Sequence, residues 1–205
     1  MKTVVAIPMK GPAESKSRLA EALSAAQREQ MALALFGRVQ TFFATQFPDF
    51  ERLVVTPSPR IATEAAARSA VALVEESTRG LNKAAKSAFI WAKTRRYDRL
   101  LIVPADIPVW LRSELDELLD EGRRFDVVVA RAHDGGTNAL LIDLMRTDRF
   151  DFCYGVDSAR RHADAASAAA LSSITRQWPF LGHDIDTVGD CLVLSQKLSS
   201  MTDAS

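Results

Sequence analysis

Asp184 and Asp186 stand two residues apart in His183-Asp184-Ile185-Asp186-Thr187, and in an extended segment side chains at i and i+2 share a face. Two carboxylates so placed repel unless a cation lies between them. A third acid, Asp106, is set between prolines in Pro104-Ala105-Asp106-Ile107-Pro108. The prolines forbid helix and stiffen the turn, and the apolar run before them reads as a strand, so Asp106 is predicted to point from a strand tip into a ligand crevice. Magnesium takes hard oxygen donors and is held by one or two carboxylates together with substrate phosphates. Asp106 with the later acid pair is therefore a candidate metal set for phosphoryl-type chemistry. Two local alternatives stand beside it: Asp106 closing an Asx turn, and Asp186 capping the last helix.

The first apolar run leads into Pro8-Met9-Lys10-Gly11-Pro12-Ala13-Glu14-Ser15-Lys16-Ser17-Arg18-Leu19. Lys10, Lys16 and Arg18 can neutralise phosphate oxygens while Gly11 lets backbone N–H groups approach an anion; a solvated basic loop is the alternative. The glycine spacings of a Walker loop or a dinucleotide fingerprint are absent. In Gly80-Leu81-Asn82 a glycine precedes a helix start, and Asn82 either caps the helix or meets a base. In His133-Asp134-Gly135-Gly136-Thr137-Asn138 backbone donors and the Thr137 hydroxyl suit an acidic substrate, and a tight hairpin fits equally. Tyr154-Gly155-Val156-Asp157-Ser158 runs into Arg160-Arg161-His162, a helix N-terminus with nearby cations; a surface position for His162 is the alternative. There is no nucleophile elbow and no second histidine at i+4, so triad chemistry has little support.

Short aliphatic runs alternating with alanine-rich stretches of helical spacing predict β-α units on a mostly parallel sheet. Strands are expected at Thr3 to Met9, Arg52 to Thr56, Val71 to Glu75, Leu100 to Pro104, Asp126 to Arg131 and Asn138 to Ile142. Helices are expected from a Ser24/Gln27 capping box to about Gln46, at Arg60 to Ser69, Asn82 to Thr94, Ser113 to Glu121, Asp157 to about Ala170, and Val188 to Lys197. With no repeat or linker, residues 1–198 read as one domain, followed by a frayed tail at 199–205. The chemically unusual residues follow strands, where ligands of such folds gather.

The chain has 205 residues, 47% of them hydrophobic and 25% charged, with 26 basic and 26 acidic side chains. Such a balance gives no global field for a nucleic-acid backbone or an anionic bilayer, so nucleic-acid and membrane partners are not expected. The apolar runs are strand-length rather than membrane-length and no signal segment is apparent, which gives a cytoplasmic expectation. Cys153 and Cys191 lack metal-site spacing and read as reduced. Apolar spacing leaves the oligomeric state open, a homodimer included.

Taken in order, these motifs resemble the 2-phospho-L-lactate guanylyltransferase family of coenzyme factor 420 biosynthesis. The likeness runs over nearly the whole chain: Pro8 and Lys10 with Lys16-Ser17-Arg18-Leu19, then Gly80-Leu81-Asn82, Pro104 to Pro108, Gly135 to Leu141, Gly155 with Ser158 and His162, and Asp184 to Thr187. The resemblance implies an α/β, Rossmann-like nucleotidyltransferase fold of the GT-A-like kind, a three-layer sandwich around a mostly parallel sheet. It implies transfer of GMP from GTP to 2-phospho-L-lactate, phosphoenolpyruvate or 3-phosphoglycerate, with release of pyrophosphate. By the same resemblance Asp106, Asp184 and Asp186 are ligands of magnesium, with manganese the alternative. Lys10, Lys16 and Arg18 hold the triphosphate and, with Asp106, form the catalytic set. Gly80 and Asn82 bind the nucleoside, and Thr137, Asn138, Gly155 and Ser158 the phosphorylated acid. The chain departs from the family pattern at Ser77-Thr78-Arg79, where a proline and an extra glycine are usual, and at Ser158-Ala159, where Ser-Phe is usual and Asp157 precedes. The alternatives are a nucleotidyltransferase of this fold with another donor or acceptor, and a nucleotide-binding protein without turnover.

Overall fold

The computed structural model describes residues 1–76 and 80–202; the departure at Ser77-Thr78-Arg79 lies outside the described residues. In chain order the elements are β1 (Thr3–Pro8), α1 (Ala25–Gln46), β2 (Glu51–Thr56), α2 (Pro59–Ala67), β3 (Val71–Val74), α3 (Leu81–Thr94) and β4 (Arg99–Ile102). They continue with α4 (Arg112–Glu121), β5 (Val127–Arg131), β6 (Thr137–Asp143), α5 (Ser158–Ala168), β7 (Ser173–Arg176) and α6 (Val188–Thr202). Two 3-10 turns, Pro12–Glu14 and Ser17–Leu19, shape the segment after β1. The strands form one seven-stranded sheet in the order β3-β2-β1-β4-β6-β5-β7. It is parallel except where β6 pairs antiparallel with β4 and β5.

Alternation along the strands builds two cores, one on each face of the sheet. Val5 and Ile7 of β1 join Phe36 and Phe43 of α1, Ile61 of α2 and Leu115 of α4. Val4 and Ala6 join Ala85 and Phe89 of α3 and Ala159 of α5 on the opposite face. Helices therefore cover both faces of a mostly parallel sheet, a three-layer α/β sandwich as expected. The run of alanines on α3 and α5 lets those helices approach the sheet closely.

Several boundaries differ from the sequence reading. β7 was not predicted: it is a four-residue edge strand of polar composition with no alternating apolar signal. Gly80 occupies the N-cap of α3, so Asn82 lies inside the helix and does not cap it. α4 starts one residue earlier than expected, with Leu111 at its N-cap and no side-chain cap; Ser113 is a helical residue. α6 continues to Thr202, past the expected end at Lys197. Short polar residues cost a helix only a few tenths of a kcal/mol each, and no glycine or proline follows to stop it. The capping box at α1 is as expected, Ser24 Oγ accepting from Gln27 N at 3.3 Å and Gln27 Oε1 from Ser24 N at 2.9 Å.

The sheet order decides where chemistry can gather. β1 and β4 are neighbours, so the segment carrying Lys10, Lys16 and Arg18 and the turn carrying Asp106 leave the same edge. β6 runs the other way, so its first residues, Thr137 and Asn138, lie at that edge too.

Candidate active site

Asp106, Asp184 and Asp186 converge, each offering one carboxylate oxygen within 4.8 Å of the others. A backbone hydrogen bond from Ile185 N to Asp106 O, 3.3 Å, stitches the two segments together. All three are half-buried. Burial pushes the Asp184 carboxyl above the usual range and the neighbouring Asp106 and Asp186 push further, while a hydrogen bond from Asn138 opposes them. Asp186 is not a helix cap. That role falls to Thr187, whose Oγ1 accepts from Asp190 N at 3.3 Å while Asp190 Oδ2 accepts from Thr187 N at 2.6 Å and from Asp186 N at 2.9 Å, a capping box that leaves the Asp186 carboxylate to face the cluster. Asp106 likewise directs its side chain across the site, accepting from Lys16 rather than closing a bond to its own turn.

Lys16 is the cationic partner of these acids. Its Nζ lies 2.9 Å from Asp106 Oδ2 and 3.3 Å from Asp186 Oδ1, and donates to the carbonyl of Ile185. Its side chain is only 4% exposed. The backbone at Lys16 is left-handed, φ 58° and ψ 34°, a conformation that costs an L-residue roughly 1 kcal/mol and turns the side chain inward between two 3-10 turns. Arg18, exposed, reaches Asp186 Oδ2 at 3.2 Å. Three carboxylates of hard oxygen, one of them reluctant to ionise, fit a divalent cation. Donors on one octahedral magnesium are at most about 4.2 Å apart, so small side-chain rotations bring the three acids within its reach.

Lys16, Arg18, Asp106 and Asp186 line one end of a cavity of about 610 Å³. Lys10, exposed and without an ion pair among the described residues, lines the same end. The walls beyond are apolar, from Ala32, Leu35, Val55, Leu81 and Ala84. Gly80 lies there with φ 82°, a backbone conformation that favours glycine. Glu75, just after β3, is the acid of this apolar end; its Oε1 accepts from Ser87 Oγ at 3.1 Å. β3 is three strands from β4, which at about 4.8 Å per strand places Glu75 roughly 14 Å from Asp106.

A second polar cluster flanks the carboxylates. The β5-β6 connection is a tight turn with Gly135 at φ 89°, and the start of α5 is tied to it by Ala159 N to Gly135 O, 3.2 Å. Thr137 Oγ1 is 3.0 Å from His162 Nδ1 and accepts from Ser158 Oγ at 3.1 Å. His162 is fully buried and Ser158 nearly so, which corrects the surface alternative for His162. Gly155 has φ 126°, and a methyl group there would stand 3.8 Å from Arg161 Nη1, so glycine leaves the backbone open beside that guanidinium. Asp157, the unexpected acid, is paired with Arg160, Nε to Oδ2 2.9 Å. Arg160 thus offsets the charge that would otherwise oppose an acidic ligand.

Two side chains expected at ligands also hydrogen-bond to protein. Asn138 is buried and donates to Asp184 Oδ1 at 3.3 Å; successive strand residues face opposite ways, so Thr137 meets α5 while Asn138 stands behind the carboxylates. Asn82 donates to Tyr154 O at 3.2 Å and accepts from Tyr154 N at 2.6 Å, joining α3 to the segment before Gly155. The roles of Lys16 as the clamp on Asp106 and of Asn138 as the support of Asp184 carried no sequence signal, because both depend on contacts between distant segments.

A family described as guanylyl transferase CofC like matches residues 3–196. The 3-phospho-D-glycerate guanylyltransferase of Colwellia psychrerythraea is 36% identical over 98% of this chain and 95% of its own length. The phosphoenolpyruvate guanylyltransferase of Conexibacter woesei is 32% identical over 98% and 90%. The 2-phospho-L-lactate guanylyltransferase of Methanothermobacter thermautotrophicus is 30% identical over 93% and 82%. Among solved structures, a CMP:2-keto-3-deoxy-manno-octonic acid synthetase complexed with CTP superposes with a TM-score of 0.64 at 13% identity, covering 98% of this chain and 100% of that one, a likeness of fold. With a family match over almost its entire length and relatives above 30% identity, this chain belongs to the CofC-like guanylyltransferase family.

Proposed function

We propose that the protein transfers GMP from GTP to a phosphorylated three-carbon acid, releasing pyrophosphate. The observation that carries the proposal is the meeting of Asp106, Asp184 and Asp186 with Lys16 beside a nucleotide-sized cavity that Lys16, Asp106 and Asp186 line, while Asn138, the partner of Asp184, directly follows Thr137, whose hydroxyl meets that of Ser158. A divalent cation, magnesium or manganese, held by the three aspartates supplies charge neutralisation for phosphate oxygens. Lys10, Lys16 and Arg18 face the triphosphate and offset charge on the departing pyrophosphate. The acid's own phosphate is the nucleophile: one of its oxygens forms the new bond to the α-phosphorus as the bond to the pyrophosphate oxygen breaks, and no covalent enzyme intermediate is needed.

The apolar end of the cavity, with Gly80 and Leu81, takes the nucleoside. Glu75 favours guanine, because a carboxylate only accepts and guanine offers two adjacent N–H donors on its pairing edge, whereas adenine presents an acceptor at the corresponding ring nitrogen. Asn82 serves this site indirectly, by fixing the acceptor segment to the nucleoside helix. Thr137, Ser158 and Gly155, with the Arg161 guanidinium, receive the acid, whose anionic groups only accept hydrogen bonds. Asn138 acts through Asp184.

The Colwellia relative is named for 3-phospho-D-glycerate, which makes that acid the first acceptor to test. Two free cysteines fit a reducing compartment, and we place the reaction in the cytoplasm; among the described residues no helix is long and apolar enough to cross a membrane. Phosphorus NMR of a mixture of protein, GTP, magnesium and each acid tests the proposal: a new unsymmetrical diphosphate signal is expected with one of the acids, and its absence with all three would exclude this acceptor class.

A further inference from the structure

Resting on the guanylyltransferase reading above, we infer that His162 is a positioning residue that commits the Thr137 hydroxyl to donate its proton to the acceptor acid. The imidazole is held at both nitrogens. Nε2 lies 2.9 Å from the backbone N–H of Cys153, and an amide N–H can only donate, so Nε2 carries its lone pair. A neutral ring with a lone pair on Nε2 bears its proton on Nδ1, and Nδ1 is 3.0 Å from Thr137 Oγ1. The ring therefore donates to the threonine oxygen.

Ser158 Oγ donates to the same oxygen at 3.1 Å. A hydroxyl has two acceptor lone pairs and one proton. With both lone pairs taken, Thr137 has only its proton to offer. The opposite tautomer would reverse this polarity: an Nδ1 lone pair would draw the Thr137 proton toward the ring and leave an oxygen lone pair facing an anion, which repels it.

The surroundings keep the ring in this state. His162 is fully buried, with Tyr154 packed edge-on at 4.7 Å and Phe150 at 6.1 Å between ring centroids. Burial and the adjacent Arg161 lower its pKa from 6.5 to about 4, so at neutral pH the ring carries a single N–H. The Cys153 amide that sets the tautomer is one residue from Tyr154, which Asn82 holds on its other side. The acceptor segment, the tautomer and the hydroxyl are thus linked through hydrogen bonds alone.

Two substitutions separate the ring's two contacts. In His162→Gln the amide reaches the old Nε2 position and keeps an acceptor for Cys153 but places no donor on Thr137; in His162→Asn an amide N–H stands near the old Nδ1 position and keeps that donor. Steady-state kinetics with GTP, magnesium and 3-phospho-D-glycerate, phosphoenolpyruvate or 2-phospho-L-lactate, whichever is turned over, read the result. Losing one directed hydrogen bond to the acid corresponds to about a tenfold change, so H162Q is expected to raise KM for the acid about tenfold with KM for GTP unchanged, and H162N to recover most of the loss. T137V is expected to raise KM for the acid at least as much as H162Q, and the H162Q/T137V double variant to be no worse than T137V. Equal losses for GTP and acid in H162Q, or additive losses in the double variant, would overturn the inference. Should the wild type turn over none of the three acids, the transferase reading fails, and nitrogen NMR of the wild-type histidines still decides the tautomer: an Nδ1–H signal for His162, perturbed in T137V, supports the assignment, and an Nε2–H tautomer overturns it.

Discussion

Lys16 Nζ and Asp106 Oδ2 are 2.9 Å apart although 90 residues separate them in sequence. The contact joins the phosphate-facing segment after β1 to the metal-facing turn after β4, and its short reach depends on the left-handed backbone at Lys16. A flexible basic loop would not hold its ammonium against two carboxylates and a carbonyl.

Lys16→Met is accordingly expected to act on both stability and turnover. Removing the ammonium leaves Asp106 without its protein cation and Asp186 with only the exposed Arg18, a loss of roughly 2 kcal/mol after allowing for the partial exposure of Asp106 and Asp186. Denaturant unfolding with and without magnesium checks this, and magnesium should recover more stability in the variant than in the wild type. Turnover should fall about a hundredfold or more.

Asp184 is held protonated more readily than an ordinary aspartate, by burial first and by Asp106 next. A group whose folded pKa is raised is strained in its ionised form, so a cation that binds the carboxylate relieves that strain. Asp184→Asn is expected to abolish the rise in Tm that magnesium produces in the wild type, while leaving the metal-free protein at least as stable. Thermal melts over a magnesium titration measure both effects.

Glu75 is the proposed reader of guanine. Glu75→Ala removes a charged hydrogen-bond acceptor, a net loss of roughly 1.5 to 3 kcal/mol, so kcat/KM for GTP should fall about ten- to a hundredfold while that for ATP changes little. Competition between the two nucleotides measures the ratio directly; an unchanged preference would assign base recognition elsewhere.

His162 gives a stability signature in a defined pH window. Its folded pKa, about 4, is below the ordinary 6.5, so the unfolded chain binds the proton more readily. The stability linked to the neutral ring is fully present above pH 6.5 and is lost as pH falls toward 4, amounting to roughly 3 kcal/mol at the end of the range. Urea midpoints at pH 7 and pH 4.5 should differ more for the wild type than for His162→Gln, since the shared titration of carboxylates cancels in the comparison.

Much of the fold was legible because the central strands announce themselves. β1, β4 and β5 are continuous apolar runs, the mark of strands buried on both faces, and Ser24 with Gln27 marks the start of α1. β7 was not legible, since Ser173–Arg176 is short, polar and at an edge. Within the site, the pairing of Asp184 with Asp186 followed from spacing, but their meeting with Asp106 did not, because 77 residues lie between Asp106 and Asp184 and only the sheet order decides their distance. Asn138 and Asn82 show the limit most clearly. Their residue types suit ligands, yet an amide serves equally as a strut between segments, and that use depends on strand parity for the buried Asn138 and on the approach of the Tyr154 backbone for the exposed Asn82. His162 could be read as surface or core from sequence; burial and the Cys153 amide decide it.

Pyrophosphate release in the presence of magnesium, with GTP, ATP, CTP and UTP each paired with 3-phospho-D-glycerate, phosphoenolpyruvate and 2-phospho-L-lactate, tests the central claim most directly, with Asp106→Ala as control. Release is expected from GTP with one of the acids and is expected to vanish in the control. Release that persists in Asp106→Ala, or that requires a nucleotide other than GTP, would contradict the assignment of this site to guanylyl transfer.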